Sequence, residues 1–181
     1  MFKHTADGPP SVPQALIDGP LLAGIAEDRK RAFFGALRYH VAEGRTQLFE
    51  EGEPGDTLWI LLSGTVTLTR ETEGGDRVEL DRARSGDVFG ELAVISPASR
   101  FATATTVGEC QLIVLDRKSF RTLIRKREPA AEALLRYLTR RICRRLRQVD
   151  ARIALVHDVL AGASADGLRR RAADLDALGE Y

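Results

Sequence analysis

The stretch Leu58-Trp59-Ile60-Leu61-Leu62-Ser63-Gly64-Thr65-Val66-Thr67-Leu68-Thr69 decides the fold. The run from Leu58 to Leu62 is apolar throughout and bounded by Gly55-Asp56 and Ser63-Gly64, which suits a strand buried on both faces. From Thr65 to Thr69 polar and apolar residues alternate, and Arg77-Val78-Glu79-Leu80-Asp81 repeats the alternation. A period of two marks antiparallel strands with one wet face. The Gly74-Gly75 pair between them is expected to supply the positive φ angles of a tight hairpin. Further strands are expected at Val88-Phe89, from Ala102 to Val107 and from Gln111 to Leu115. Short strands spaced by about ten residues, with glycine punctuation, describe a small sandwich or barrel.

On both sides of this region the period is helical. From Leu21 to Tyr39 the apolar positions Leu22, Ile25, Phe33, Phe34 and Leu37 predict two short helices, interrupted by Glu27-Asp28-Arg29-Lys30-Arg31. Before them Pro9, Pro10, Pro13 and Pro20 leave room for no more than a helical turn around Leu16 and Ile17. After Asp116, Phe120, Leu123 and Ile124 predict one short helix, and Glu128-Pro129 opens a long one. Proline suits the first helical position, where an N–H has no partner in any case. Along the long helix Leu135, Leu138, Ile142, Leu146, Val149, Ile153, Val156 and Leu160 recur every three or four residues, a seam for another helix. The expected organisation is an irregular leader over 1–20, a β-barrel with N-terminal helices over 21–128, a long basic helix over 129–161 that mediates dimerisation, and a short tail over 162–181. The tail carries Leu168, Leu175 and Leu178 beside Arg169-Arg170-Arg171, a weakly amphipathic helix.

A chain of 181 residues, 44% hydrophobic and 29% charged, is long enough for one domain with a proper core and an appended helix. No apolar run approaches the roughly 20 residues that cross a bilayer, and residues Met1 to Pro13 lack the apolar centre of a signal peptide, so a cytoplasmic protein with no membrane partner is expected. Cys110 and Cys143 fall in a strand and a helix without Cys-x-x-Cys spacing, and are expected as two buried or half-buried thiols rather than metal ligands. The net charge of +1 is unevenly spread, with acids dominating from Glu43 to Glu91 and arginines from Arg136 to Arg152.

The chemistry concentrates in Phe89-Gly90-Glu91-Leu92-Ala93-Val94-Ile95-Ser96-Pro97-Ala98-Ser99-Arg100-Phe101-Ala102-Thr103. An apolar run opened by Phe-Gly-Glu can form one helical turn whose free N–H groups point outward, and an anion held there could also meet the guanidinium of Arg100. Any one of these residues alone has an ordinary structural explanation: a turn glycine, a helix-end acid, a solvated arginine. Their combination is the recipe for gripping a phosphate.

Taken together, the N-terminal helices, Glu51-Gly52-Glu53-Pro54-Gly55-Asp56-Thr57-Leu58-Trp59-Ile60 with Ser63-Gly64, and Gly86-Asp87-Val88-Phe89-Gly90-Glu91-Leu92-Ala93 with Arg100 resemble the cyclic-nucleotide-binding domain. This is the domain of the bacterial catabolite activator and of the regulatory subunit of protein kinase A. The resemblance runs from about Leu21 to about Val156 and rests on two glycine-bearing motifs in the family's order. It implies a mainly β fold with flanking helices, a jelly-roll β-barrel followed by a long C-terminal helix, whose phosphate-binding cassette holds the cyclic phosphate and ribose. By that resemblance Arg100 pairs with the exocyclic phosphate oxygens and Glu91 accepts the ribose 2′-hydroxyl. The N–H groups of Gly90, Leu92, Ala93, Phe101 and Ala102 are then the candidate backbone donors. A planar guanidinium matches the two free oxygens of a phosphodiester, so lysine should not replace Arg100. Phe101 stands where the family commonly has Ala, Ser or Thr; its side chain cannot supply the hydroxyl contact associated with guanine recognition, which favours cAMP over cGMP as the ligand.

In the transcription-factor branch a winged helix-turn-helix follows the long helix, and the residues after His157-Asp158-Val159 are too few for one. The resemblance therefore implies a stand-alone sensor that binds a cyclic mononucleotide and signals through rearrangement of a homodimer or of a partner protein, with no cofactor. A different class of function is a ligand-free interaction module, in which the barrel is scaffold and the helix seam recruits a protein; Phe101 filling the pocket would favour it. A third class is binding of DNA or RNA by Arg136, Arg140, Arg141, Arg144, Arg145 and Arg147, but no aromatic residues interleave them for base stacking. An enzyme is not expected. His4, His40 and His157 are dispersed, no nucleophile or metal-ligand spacing appears, and Glu91 with Arg100 makes a binding pair rather than an acid/base pair.

Overall fold

A computed structural model of the protein describes residues 12–177, so most of the irregular leader and the end of the tail lie outside the described residues. Helix α1 (Gln14–Asp18) holds the Leu16-Ile17 turn, a 3₁₀ turn covers Pro20–Leu22, and α2 (Glu27–Gly35) follows. The first of the two short helices expected from Leu21 is thus a single tight turn. Strands β1 (Arg38–Ala42), β2 (Gln47–Phe49), β3 (Thr57–Ser63), β4 (Thr65–Glu71), β5 (Arg77–Arg84) and β6 (Val88–Phe89) lead to the one-turn helix α3 (Leu92–Ile95). Strands β7 (Thr103–Thr106) and β8 (Cys110–Asp116) complete the β region, and α4 (Arg117–Arg125), α5 (Pro129–Leu160) and α6 (Ala165–Ala177) close the described chain.

The strands form two four-stranded antiparallel sheets, ordered β1-β8-β3-β6 and β2-β7-β4-β5. This is the mainly β jelly-roll fold with flanking helices and a long helix toward the C-terminus. Apart from the β4–β5 hairpin, neighbours within a sheet are far apart in sequence: β3 pairs with β8 from Thr57↔Asp116 to Ser63↔Gln111, and β1 pairs with β8 from Arg38↔Val114 to Ala42↔Cys110. Strand β3 explains its own continuous apolar run. Trp59 and Leu61 join the cluster between the sheets with Phe49, Val66, Leu68, Phe89, Leu112 and Val114, whereas Leu58 and Ile60, on the opposite face, are fully buried too.

Three local expectations change. In the β4–β5 hairpin only Gly75 takes a positive φ, of 83°, and the connection runs through Thr72–Asp76 with Thr72 N–H bonded to Asp76 O, so one glycine suffices where two were expected. Strand β5 alternates in sequence, yet Val78 and Leu80 are exposed. A register shift opposite Leu68/Thr69 drops Leu80 out of the pairing, and β5 is the edge strand of its sheet, so its inward positions run past the core. Cys110 is buried in β8, its Sγ donating to Thr65 O, and burial pushes its thiol pKa up. Cys143 is not buried but exposed on α5, since a helix has more circumference than any one packing face covers.

By internal contacts the chain divides between Leu134 and Leu135. The first unit contains the barrel, α1 to α4 and the start of α5, where Ala130, Ala131, Ala133 and Leu134 are buried. The second contains the rest of α5 and α6; on α5 Leu146, Val149, Ile153, Val156 and Leu160 are exposed. Among the described residues no helix is long and apolar enough to cross a membrane, and no cluster of His, Cys, Asp and Glu could hold a metal ion.

Candidate functional site

The cassette hangs from the end of β6. Gly90, at φ 70°, turns the chain out of the strand into α3, a conformation that glycine adopts without strain. Glu91 occupies the N-cap position of α3 and is 6% exposed, and the following turn buries Ala93 and Val94 while Leu92 stays exposed. The chain then returns past Pro97 to Arg100, whose backbone is gripped by the loop before β3. Arg100 N–H donates to Glu53 O at 2.8 Å and Gly52 N–H donates to Arg100 O at 2.9 Å. This clamp explains why the two glycine-bearing motifs belong together.

The clamp delivers the Arg100 side chain into the barrel end, where it is only 6% exposed. Its Nη1 donates to Thr57 O at 2.7 Å and to Gly90 O at 3.3 Å, its Nη2 donates to the Thr57 hydroxyl at 2.6 Å, and its Cζ lies 4.1 Å from the Phe49 ring centroid. A desolvated guanidinium over an aromatic face gains about 2 kcal/mol. Every hydrogen-bond acceptor the side chain reaches is neutral, and Nε is buried with no acceptor at all. Burial pulls the guanidinium pKa down; the nearby carboxylates of Glu53 and Asp56 act against this, and the Arg117 cation acts with it. A cation held out of water with no directly bonded anion is costly, and a bound anion would relieve that cost.

The expected site residues thus fall in two groups. Arg100 bonds directly to Gly90 O, and Glu91 follows Gly90 as the buried N-cap of α3. Ala93 and Ala102 are buried beside them, but the Ala93 N–H is engaged with Gly90 O at 3.3 Å, because α3 is so short that its turn closes on its own first carbonyls. Phe101 points elsewhere. It is 50% exposed, and the Arg70 guanidinium lies 4.7 Å from its ring centroid, with Arg70 Nε in turn donating to Glu51 Oε1 at 3.0 Å. The aromatic face under Arg100 is that of Phe49.

Sequence reasoning did not single out Thr57, Gly55 or Phe49. Thr57 holds the guanidinium twice, and a Cβ on Gly55 would lie 2.8 Å from Ala93 Cβ and 2.9 Å from Arg100 Nε. Gly55 and Thr57 sit inside the quoted motif on either side of Asp56, so the signal was present as an unexplained glycine and hydroxyl; Phe49 carried none beyond its apolarity.

Residues 40–127 match the family described as the cyclic nucleotide-binding domain. The chain is similar to the CRP-like cAMP-activated global transcriptional regulator of Mycobacterium tuberculosis, 40% identical over 97 residues, which are 54% of this chain and 43% of that protein. The chain therefore spans less than half the length of that relative. Among solved structures it resembles the catabolite activator protein of Thermus thermophilus in fold, with a TM-score of 0.65 and 24% identity over 89% of this chain and 88% of that one. It also resembles the regulatory domain of Toxoplasma gondii PKA crystallised with cAMP, with a TM-score of 0.56 and 26% identity over 70% of this chain and 47% of that one. The paired jelly-roll sheets, the cassette clamped onto the loop before β3 and this set of relatives agree: residues 40–127 carry a cyclic nucleotide-binding domain, similar to those of CRP-like regulators and of regulatory subunits of protein kinase A.

Proposed function

We propose that the protein is a receptor for a cyclic mononucleotide, with cAMP favoured over cGMP, and that it regulates a homodimer or a partner protein rather than catalysing a reaction. The observation that carries this reading is Arg100, a buried guanidinium whose Nε has no acceptor and whose Nη groups rest on the neutral oxygens of Thr57 and Gly90. A cyclic phosphodiester supplies the missing negative charge, and a guanidinium offers it two parallel N–H donors. Arg100 is assigned to the exocyclic oxygens, Glu91 to the ribose 2′-hydroxyl, and the backbone at Gly90, Leu92, Ala93, Phe101 and Ala102 to the pocket wall. The turning of Phe101 toward Arg70 supports a receptor over a ligand-free interaction module, because the ring does not take the place on Arg100 that Phe49 holds. The names of two relatives, one a cAMP-activated regulator and one solved with cAMP, support a cyclic nucleotide as the ligand, and the preference for adenine rests on Phe101, which has no hydroxyl to offer guanine.

Ligand capture is assigned to ordering of the cassette around the phosphate. In this reading the ordering displaces α4 and the hinge before Pro129, and so redirects the helix that starts there. The test is a thermal-shift titration with cyclic AMP and cyclic GMP. At a hundredfold excess over Kd a specific ligand adds about 2.7 kcal/mol of stability, so the wild-type midpoint should rise saturably and Arg100→Ala should abolish the rise. No shift of the wild type with any cyclic mononucleotide would sink the receptor reading and leave the interaction module.

A further inference from the structure

One arginine outside the cassette is bonded both to the cassette and to the loop that clamps it. Arg117 is the first residue of α4, and its backbone N–H donates to Asp56 O at 2.7 Å. Its side chain reaches across: Nε donates to Ala93 O at 2.5 Å and Nη2 donates to Gly55 O. The Ala93 carbonyl needs such a donor for a reason written in the sequence. The helical partner of its oxygen would be the N–H four residues on, and that residue is Pro97, which has none. The Gly55 carbonyl belongs to the residue whose Cα lies wedged between Ala93 and Arg100, so that even a methyl group would reach within 2.8 Å of one and 2.9 Å of the other. Arg117 therefore holds α3 and the Gly55 wedge in one place, and these two bodies flank Arg100.

Helix α4 is otherwise well anchored. Asp116 caps it by accepting from Ser119 N–H at 2.8 Å and from the Ser119 hydroxyl at 2.8 Å, and Phe120 is buried. A rigid helix whose first side chain is bonded to the cassette cannot stay still if the cassette moves.

Resting on the receptor reading above, we infer that Arg117 is a positioning residue of the nucleotide site: it fixes α3 and Gly55 around Arg100, and through the same hydrogen bonds carries a displacement of α3 to the N-terminus of α4. Arg117 itself need not touch the ligand. Its charge lies close enough to Arg100 to depress that group's pKa further, so it also adds to the positive potential that draws in a phosphate.

The experiment compares the wild type, Arg117→Met and Arg117→Lys as full-length chains, each checked for folding by circular dichroism. Affinity for cyclic AMP is measured by calorimetry, and amide hydrogen exchange of the α3 and α4 segments is followed with and without saturating cyclic AMP. Loss of two hydrogen bonds from a charged donor should weaken binding about tenfold or more in Arg117→Met. In Arg117→Lys, which keeps the charge but replaces the two separated donor nitrogens of the guanidinium by one, the loss should be intermediate. At saturating ligand the exchange of α4 should respond in the wild type and not in Arg117→Met. Without ligand, the α3 amides of Arg117→Met should exchange faster than in the wild type. Wild-type affinity in Arg117→Met together with a wild-type α4 response overturns the inference. Failure of the wild type to bind any cyclic nucleotide removes the receptor reading and the coupling with it, and the ligand-free comparison then decides the positioning role: unchanged α3 exchange in both variants overturns that as well.

Discussion

A methyl group on Gly90 would lie 2.8 Å from Arg100 Nη1 and 3.2 Å from Thr57 O, at a backbone φ of 70° that side-chain-bearing residues rarely adopt. Gly90→Ala should therefore cost about 1–3 kcal/mol in stability, read from the denaturant midpoint at unchanged slope. It should also weaken cyclic AMP binding, because the nearest neighbour, and the one that must give way, is the guanidinium that has to meet the phosphate. Arg100 and Glu91 were legible as chemistry from their types and spacing. Their burial was not, since the oxygens of Thr57 that hold Arg100 arrive from a separate strand. Arg117 was silent in the sequence for a related reason: an arginine at a helix start reads as a solvated charge, and only the juxtaposition of Ala93, Pro97 and Gly55 gives it a task.

Helix α4 was expected from Phe120, Leu123 and Ile124, and its boundary is set by a cap that periodicity does not report. Asp116 meets Ser119, and its carboxyl pKa is lowered: burial opposes ionisation, but the Ser119 N–H and hydroxyl and the Arg38 cation together outweigh it. Asp116→Ala should cost about 0.5–2 kcal/mol, as loss of a side-chain cap does. The pH dependence has a definite sign. A carboxyl whose folded pKa lies below its unfolded one stabilises above the unfolded value near 3.8, and that contribution is lost as the pH falls through the lower folded value. Acid titration of stability should thus show a smaller loss below pH 4 in Asp116→Ala than in the wild type. The β1 strand, by contrast, could not be read: Arg38 to Ala42 contains Tyr39 and His40 and lies against the end of a helical pattern, and only pairing with β8 makes it a strand.

At the scale of the molecule, α5 leaves Leu146 at 59%, Ile153 at 62% and Val156 at 58% exposure along one helical seam, in line with an unpartnered stripe rather than scattered surface residues. We propose that a second copy of the chain covers it, burying apolar surface worth about 25 cal/mol per Å². Replacing Leu146 and Ile153 by Glu should convert a dimer into a monomer in sedimentation equilibrium while leaving the thermal unfolding of the barrel intact; a wild type that is monomeric at micromolar concentration defeats the proposal. The arginines Arg140, Arg144 and Arg147 lie on the same helix. If nucleic acid were the partner, retention would fall steeply with salt, and none retained at low ionic strength ends that reading.

What the sequence determined by itself was whatever depends on local pattern and on residue chemistry: an unbroken apolar run for β3, alternation for β4 and β5, helical recurrence for α4 and α5, and a glycine, an acid and an arginine at the spacing of an anion grip. These properties are local because the pleat of a strand and the pitch of a helix act over a few residues. What only the tertiary structure decided were the placements that bring distant segments together. Thr57 and Phe49 meet Arg100 inside the barrel end, Phe101 lies under Arg70 instead of over Arg100, and Arg117 reaches from α4 to the carbonyls of Ala93 and Gly55. No pattern along the chain encodes those meetings, because each is set by how the two sheets and α4 stack, and by which buried oxygens that stacking leaves in need of a donor.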